Sequence, residues 1–74
     1  MNEVEKSICM IETVTAHLKE NYDSFGGGIS SIKLLSSNSI EAEMLQEERK
    51  DVWIYTLEPQ GDGFTVTNVE KTAR

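Results

Sequence analysis

Tyr22-Asp23-Ser24-Phe25-Gly26-Gly27-Gly28-Ile29 is the stretch where the hydrophobic period of this chain changes. Upstream, apolar residues recur at helical spacing. Downstream they form short β-type runs separated by turn residues. Both sides together specify an α+β domain, one N-terminal helix packed on a four-stranded antiparallel β-meander. The glycines do not form a phosphate loop. Such a loop follows a strand, precedes a helix and continues into Lys and Ser/Thr, whereas Gly26-Gly27-Gly28 follow a helix and precede a strand. They end the helix and connect it onward.

Upstream of the glycines, Asn2 and Glu5 have the spacing of a capping box, and Glu3 and Glu5 place negative charge in the first turn. Val4, Ile8, Ile11, Thr15, Leu18 and Tyr22 then step by four and three, making one apolar stripe. Cys9, Met10 and Val14 widen it. The spacing predicts a helix over 3–22, ended by Asn21, Asp23 and the glycines.

Downstream, residues 29–35, 40–46, 51–57 and 64–69 read as strands. Ser36-Ser37-Asn38-Ser39, Glu47-Glu48-Arg49-Lys50 and the Pro59, Gly61 and Gly63 cluster separate them, and Asn38 tolerates a positive φ. Residues 70–74 are expected to fray. No connection is long enough for a parallel crossover. A four-residue turn pairing Gln46 with Asp51 sets Met44 opposite Trp53, Ala42 opposite Tyr55 and Ile40 opposite Leu57. A similar turn after Leu57 brings Phe64 beside it and Val66 beside Tyr55. A three-residue turn at 36–38 puts Ile32 and Leu34 on that same face, toward the helix. The other face then pairs Leu45 with Val52 and sets Ile54 beside Glu43, with Leu35 and Val69 extending the patch.

Seventy-four residues allow a single domain, 1–74, with a thin core. Small domains gain support from disulfides, metals or self-association. Cys9 is the only cysteine and His17 the only histidine, so neither an internal disulfide nor a structural zinc site is available. Self-association remains. The formal net charge of −6 and the scattered Lys and Arg residues disfavour nucleic-acid binding. No apolar run is long enough to span a bilayer. The N-terminus lacks the features of a secretory signal, and with an unpaired Cys9 this makes the cytoplasm the expected compartment.

No residues assemble a catalytic centre by spacing. His17 is the one group suited to near-neutral proton chemistry, but no Ser/Asp arrangement surrounds it. It reads as a boundary residue, and an enzyme would need it beside Trp53 or Tyr55 in a pocket. Glu5 and Glu12 near Cys9 oppose thiolate formation, so Cys9 reads as a small buried hydrophobe. Glu41, Glu43, Glu47 and Glu48 come from one strand and its turn rather than from converging segments, so they read as solvated acids and not as a metal site. The chain is expected to be non-catalytic, with no cofactor and no metal.

Two surfaces remain. Trp53 and Tyr55 share one strand face and can wall a ligand pocket between helix and sheet. Leu45, Val52 and Ile54 on the outer face offer an interaction surface, since a solvated face has no need of these aliphatics.

The helix and four-stranded meander, ending in 52–57, a Gly61-Asp62-Gly63 turn and 64–69, resemble the cystatin-like/NTF2-like group of α+β domains. The resemblance implies dimerisation through the sheet and binding of a small ligand or partner. It carries no catalytic residue onto this chain, and the additional N-terminal helices usual in NTF2-like domains are absent from this sequence. The expected function is a small binding or protein-interaction module that forms a homodimer through its outer sheet face, or binds another protein. The alternative is a small-ligand protein using Trp53 and Tyr55.

Overall fold

The computed structural model of the chain describes residues 2–22 and 27–73. The helix-ending roles expected of Asp23 and Gly26 lie outside the described residues. One helix, α1 (Glu3–Asn21), precedes four strands, β1 (Ile29–Ser36), β2 (Ser39–Leu45), β3 (Lys50–Gln60) and β4 (Gly63–Ala73). The strands form one antiparallel sheet in the order β1-β2-β3-β4, so the fold is the α+β meander expected from the sequence.

Asn2 caps α1, its side-chain oxygen accepting the Glu5 amide at 2.8 Å. That bond satisfies one of the donors a helix leaves unpaired at its start. At the other end, the Tyr22 amide donates to the Leu18 carbonyl at 2.9 Å. Lys19 lies in the last turn, where the helix dipole favours a cation.

The helix buries the C-terminal part of the expected stripe, Leu18 with Tyr22 beside it, together with two of the residues that widen it. Met10, Val14 and Leu18 are the buried ones. They join Ile40, Ala42, Met44, Trp53, Tyr55 and Leu57, flanked by Tyr22, Ile32, Phe64, Val66 and Val69. Val4, Ile8 and Ile11, the N-terminal half of the stripe, stay exposed. The cause lies in where the helix sits. Its principal backbone contacts are with β4 and β2, which leaves β1 largely uncovered and the stripe turned to one side.

The strand register also differs from expectation. Ile40 faces Tyr55, Ala42 faces Trp53 and Met44 faces Asp51, because the turn occupies 46–49 and Leu45 pairs with Lys50. This offset from the expected pairing is two residues. Side chains alternate with period two, so every expected core residue of β2 and β3 still faces the helix. In β3 and β4, Leu57 faces Val66 and Pro59 faces Phe64. An irregularity between Thr56 and Leu57 then sets Val69 opposite Tyr55. Val69 therefore packs on the core and does not extend the outer patch. β4 continues to Ala73 opposite Asp51, so residues 70–73 are paired strand rather than a frayed end.

The turns explain these shifts. Ser37 and Asn38 form a two-residue turn with no positive φ, and the spare residue is absorbed by an irregularity between Leu34 and Ser36. Asn38 does not use the left-handed conformation. Gly61 does, with φ at 59°, as the first residue of a two-residue turn with Asp62. The ladder between β2 and β3 ends at Thr56, beyond which β3 and β4 continue as a two-stranded ribbon. The Leu57 amide donates to the Asn38 carbonyl at 2.9 Å, and Pro59 follows two residues later.

Candidate functional site

Asp51, Trp53, Tyr55 and Leu57 alternate along β3 and face the helix, so this row brings a carboxylate and two aromatic rings under α1. Asp51 is only 6% exposed. A buried charge needs partners, and this one has them. The Tyr22 hydroxyl donates to Oδ2 at 2.7 Å, and Arg49 Nε lies 3.4 Å from Oδ1. Tyr22 in turn accepts from Gln46 Nε2 at 2.8 Å. Burial and the bond to Asp51 both raise the Tyr22 phenol above its ordinary value. The network ties the end of the helix to the 46–49 turn and the start of β3.

Trp53 lies beside this network. Tyr22 meets its ring edge-on at 5.2 Å, and Lys71, opposite it on β4, holds its ammonium 4.4 Å from the ring centroid. An open cleft of about 330 Å³ is bounded by Asn21, Tyr22, Gln46, Arg49, Asp51 and Trp53, with Lys71 and Thr72 on the far side. The expected pocket pair is therefore split. Trp53 borders the cleft, whereas Tyr55 is sealed in the core.

His17 does meet the aromatic residues. Its Nδ1 lies 2.9 Å from the Tyr55 hydroxyl, and its ring contacts both Tyr55 and Trp53 edge-on. Burial pushes the Tyr55 phenol up to about 12, so the phenol keeps its proton. A buried hydroxyl needs a hydrogen-bond partner, and His17 Nδ1 is the one within reach. The pair is a tie between helix and core. Cys9 is a half-buried free thiol.

The outer sheet face does not gather its aliphatics into one patch. Leu45 is exposed but pairs with Lys50, while Val52 pairs with Glu43 and Thr72. Val52 is only 1% exposed, sunk among its own sheet neighbours. Ile54 is half-buried between Glu41 and Glu70. Two of the surrounding acids have basic neighbours across the strands. Glu41 faces Lys33, and Glu43 bridges Lys50 at 3.4 Å. Partial burial raises the Glu43 carboxyl, but Lys50 and nearby serine hydroxyls hold it below the ordinary value.

Most of the exposed large aliphatics among the described residues lie elsewhere, on α1 and β1. Val4, Ile8 and Ile11 on α1 are exposed, as are Ile29 and Leu34 on β1. Ile29 faces Met44 and Leu34 faces Ile40, so both project from the helix-bearing face of the sheet. An apolar groove of about 200 Å³ joins the two elements, lined by Thr15, Leu18, Lys19, Tyr22, Ile29 and Met44. Gly28 completes the groove, its carbonyl accepting the Leu45 amide at 2.7 Å. Beside it, a Cβ on Gly27 would overlap the Leu45 carbonyl, so glycine is required where the chain enters the sheet.

Spacing did not reveal the Asp51 network, although a signal was present. Asp51 shares the strand parity of Trp53 and Tyr55, and a charge on a core-facing row marks a buried polar contact. Among the described residues, no group of three His, Cys, Asp or Glu could hold a metal ion, and no helix is long and apolar enough to cross a membrane. No family model, curated protein or solved structure matches the chain.

Proposed function

We propose that this chain is a non-catalytic protein-interaction module that self-associates through the side formed by α1 and β1. The observation that carries this function is the exposure of aliphatics on both elements, with Val4 69%, Ile8 50% and Leu34 47% exposed, together with an apolar groove between the last turns of α1 and the start of β1. Exposed apolar surface gathered on one side marks an interface in small domains. The thin core and the lack of an internal disulfide support the same conclusion. Relative to the outer-face expectation the proposed interface moves to the opposite side, because Val52 is covered and Ile54 is flanked by Glu41 and Glu70. A lone unpaired cysteine supports a reducing compartment such as the cytoplasm.

Light scattering on the wild type, Ile8→Glu, Leu34→Glu and Ile54→Glu tests this. The expected result is a wild-type dimer that persists in Ile54→Glu and dissociates in the other two. A wild-type monomer at high micromolar concentration would refute self-association, and loss of the dimer only in Ile54→Glu would return it to the outer face. The open cleft beside Trp53 favours a second function, small-ligand binding. A ligand there would perturb the emission of Trp53, the only tryptophan.

A further inference from the structure

The stripe Val4, Ile8, Ile11, Thr15, Leu18 and Tyr22 has the alternating four- and three-residue steps of a two-helix seam. Its two ends are shaped differently. Val4 and Ile8 project at the N-terminal end, whereas Thr15, Leu18, Lys19 and Tyr22 border the groove at the C-terminal end. Projections at one end and a recess at the other fit each other when two such helices run in opposite directions. Among the described residues β1 is largely uncovered, with Ile29 in the groove and Leu34 beyond it, so that side of the helix faces no other element.

The charges beside the stripe point to the same arrangement. Glu5, Glu12 and Lys19 recur at seven-residue intervals and follow Val4, Ile11 and Leu18, so they form one flank of the seam. In a parallel pair this flank would face the opposite flank of the second copy, Ser7, Val14 and Asn21, and find no charge partner. In an antiparallel pair Glu5 meets Lys19 twice, and only Glu12 meets its own kind. Opposed helix dipoles also favour the antiparallel pair, because the acidic first turn of one copy lies beside the basic last turn of the other. The flank is thus complementary to its own reverse, a property that selects a second copy over an unrelated protein.

We propose that α1 pairs antiparallel with α1 of a second copy about a two-fold axis near Glu12. Ile8 of each copy enters the groove of the other beside Leu18, Val4 reaches Tyr22, and Glu5 faces Lys19. This arrangement rests on the self-association proposed above and names its partner and contacts. A two-fold interface of this type closes, so association stops at two copies.

Cysteine trapping tests the geometry in a Cys9→Ala background, which leaves no other thiol. Glu12→Cys is expected to form a disulfide-linked dimer under mild oxidation. Glu5→Cys alone is not, and Glu5→Cys with Lys19→Cys is. Lys19→Glu is expected to weaken the dimer roughly tenfold, as two exposed pairs turn repulsive, and adding Glu5→Lys is expected to restore it. Circular dichroism confirms that each variant is folded. If Ile8→Glu dissociates the dimer but Glu12→Cys does not cross-link and the charge exchange restores nothing, the antiparallel pairing is wrong while self-association through this side stands. A wild-type monomer overturns both.

Discussion

From Thr13 onward, α1 and the residue that follows it, Tyr22, are fastened to the sheet by directional contacts. His17 bonds to Tyr55, Tyr22 bonds to Asp51 and Gln46, and edge-on rings enclose Trp53. From Glu3 to Ile11 the same helix offers a row of aliphatics, of which Met10, on the neighbouring line, is the buried one. Hydrogen bonds and ring contacts fix the angle at which the helix lies, and that angle decides which of its apolar residues the sheet covers. The exposed row is then a product of how firmly the other half is held.

The strongest challenge to this contrast is Trp53→Ala. The indole underlies Tyr22, His17 and Lys71, so its removal is expected to cost about 3–5 kcal/mol in denaturant unfolding, as for large-to-small core changes. His17→Ala would leave the Tyr55 hydroxyl buried without its partner, and a loss of about 1–3 kcal/mol is expected. If His17→Ala unfolds like the wild type, the directional contacts do not hold the helix and the contrast fails.

Alkaline titration sharpens the same point. The Tyr55 phenol is raised to about 12, against about 10 when unfolded, so its folded form holds a proton that the unfolded form releases. Its contribution to stability is present in full below the unfolded value and is lost as pH rises through the folded one. Stability is expected to decline with pH above about 10, with Tyr55 ionising late when followed by phenolate absorbance. At the other extreme, Ile8→Ser at concentrations where the chain is monomeric is expected to change stability by no more than about 0.5 kcal/mol. A larger loss would mean that the N-terminal half contributes to the monomer's core after all.

Much of this was legible in the chain. The helix was, because Asn2 caps it and its apolar spacing is regular, and so was the meander, because turn residues separate every run. Facing survived an error in pairing because a two-residue offset leaves strand parity unchanged. The irregularity at Thr56–Leu57 does change parity, which is why Val69 was assigned to the wrong face. Which apolar residues of the helix are buried was only partly legible, since Leu18 lies on the expected stripe but Val4, Ile8 and Ile11 are as apolar as Met10 and Val14. Their fates are settled by His17 and Tyr22, whose partners lie roughly thirty to forty residues away.

Pro59 has a consequence for what the protein avoids. Where β3 outruns β2, the ribbon turns a bare strand edge to solvent, and bare edges recruit strands from other chains. A recruited strand needs amide donors. On that edge the Leu57 donor is already committed to Asn38, and the next position of the same parity is Pro59, which has none. The protruding hairpin is therefore a poor template for strand addition. Pro59→Ala would give that edge a free donor and make it a better template for strand addition.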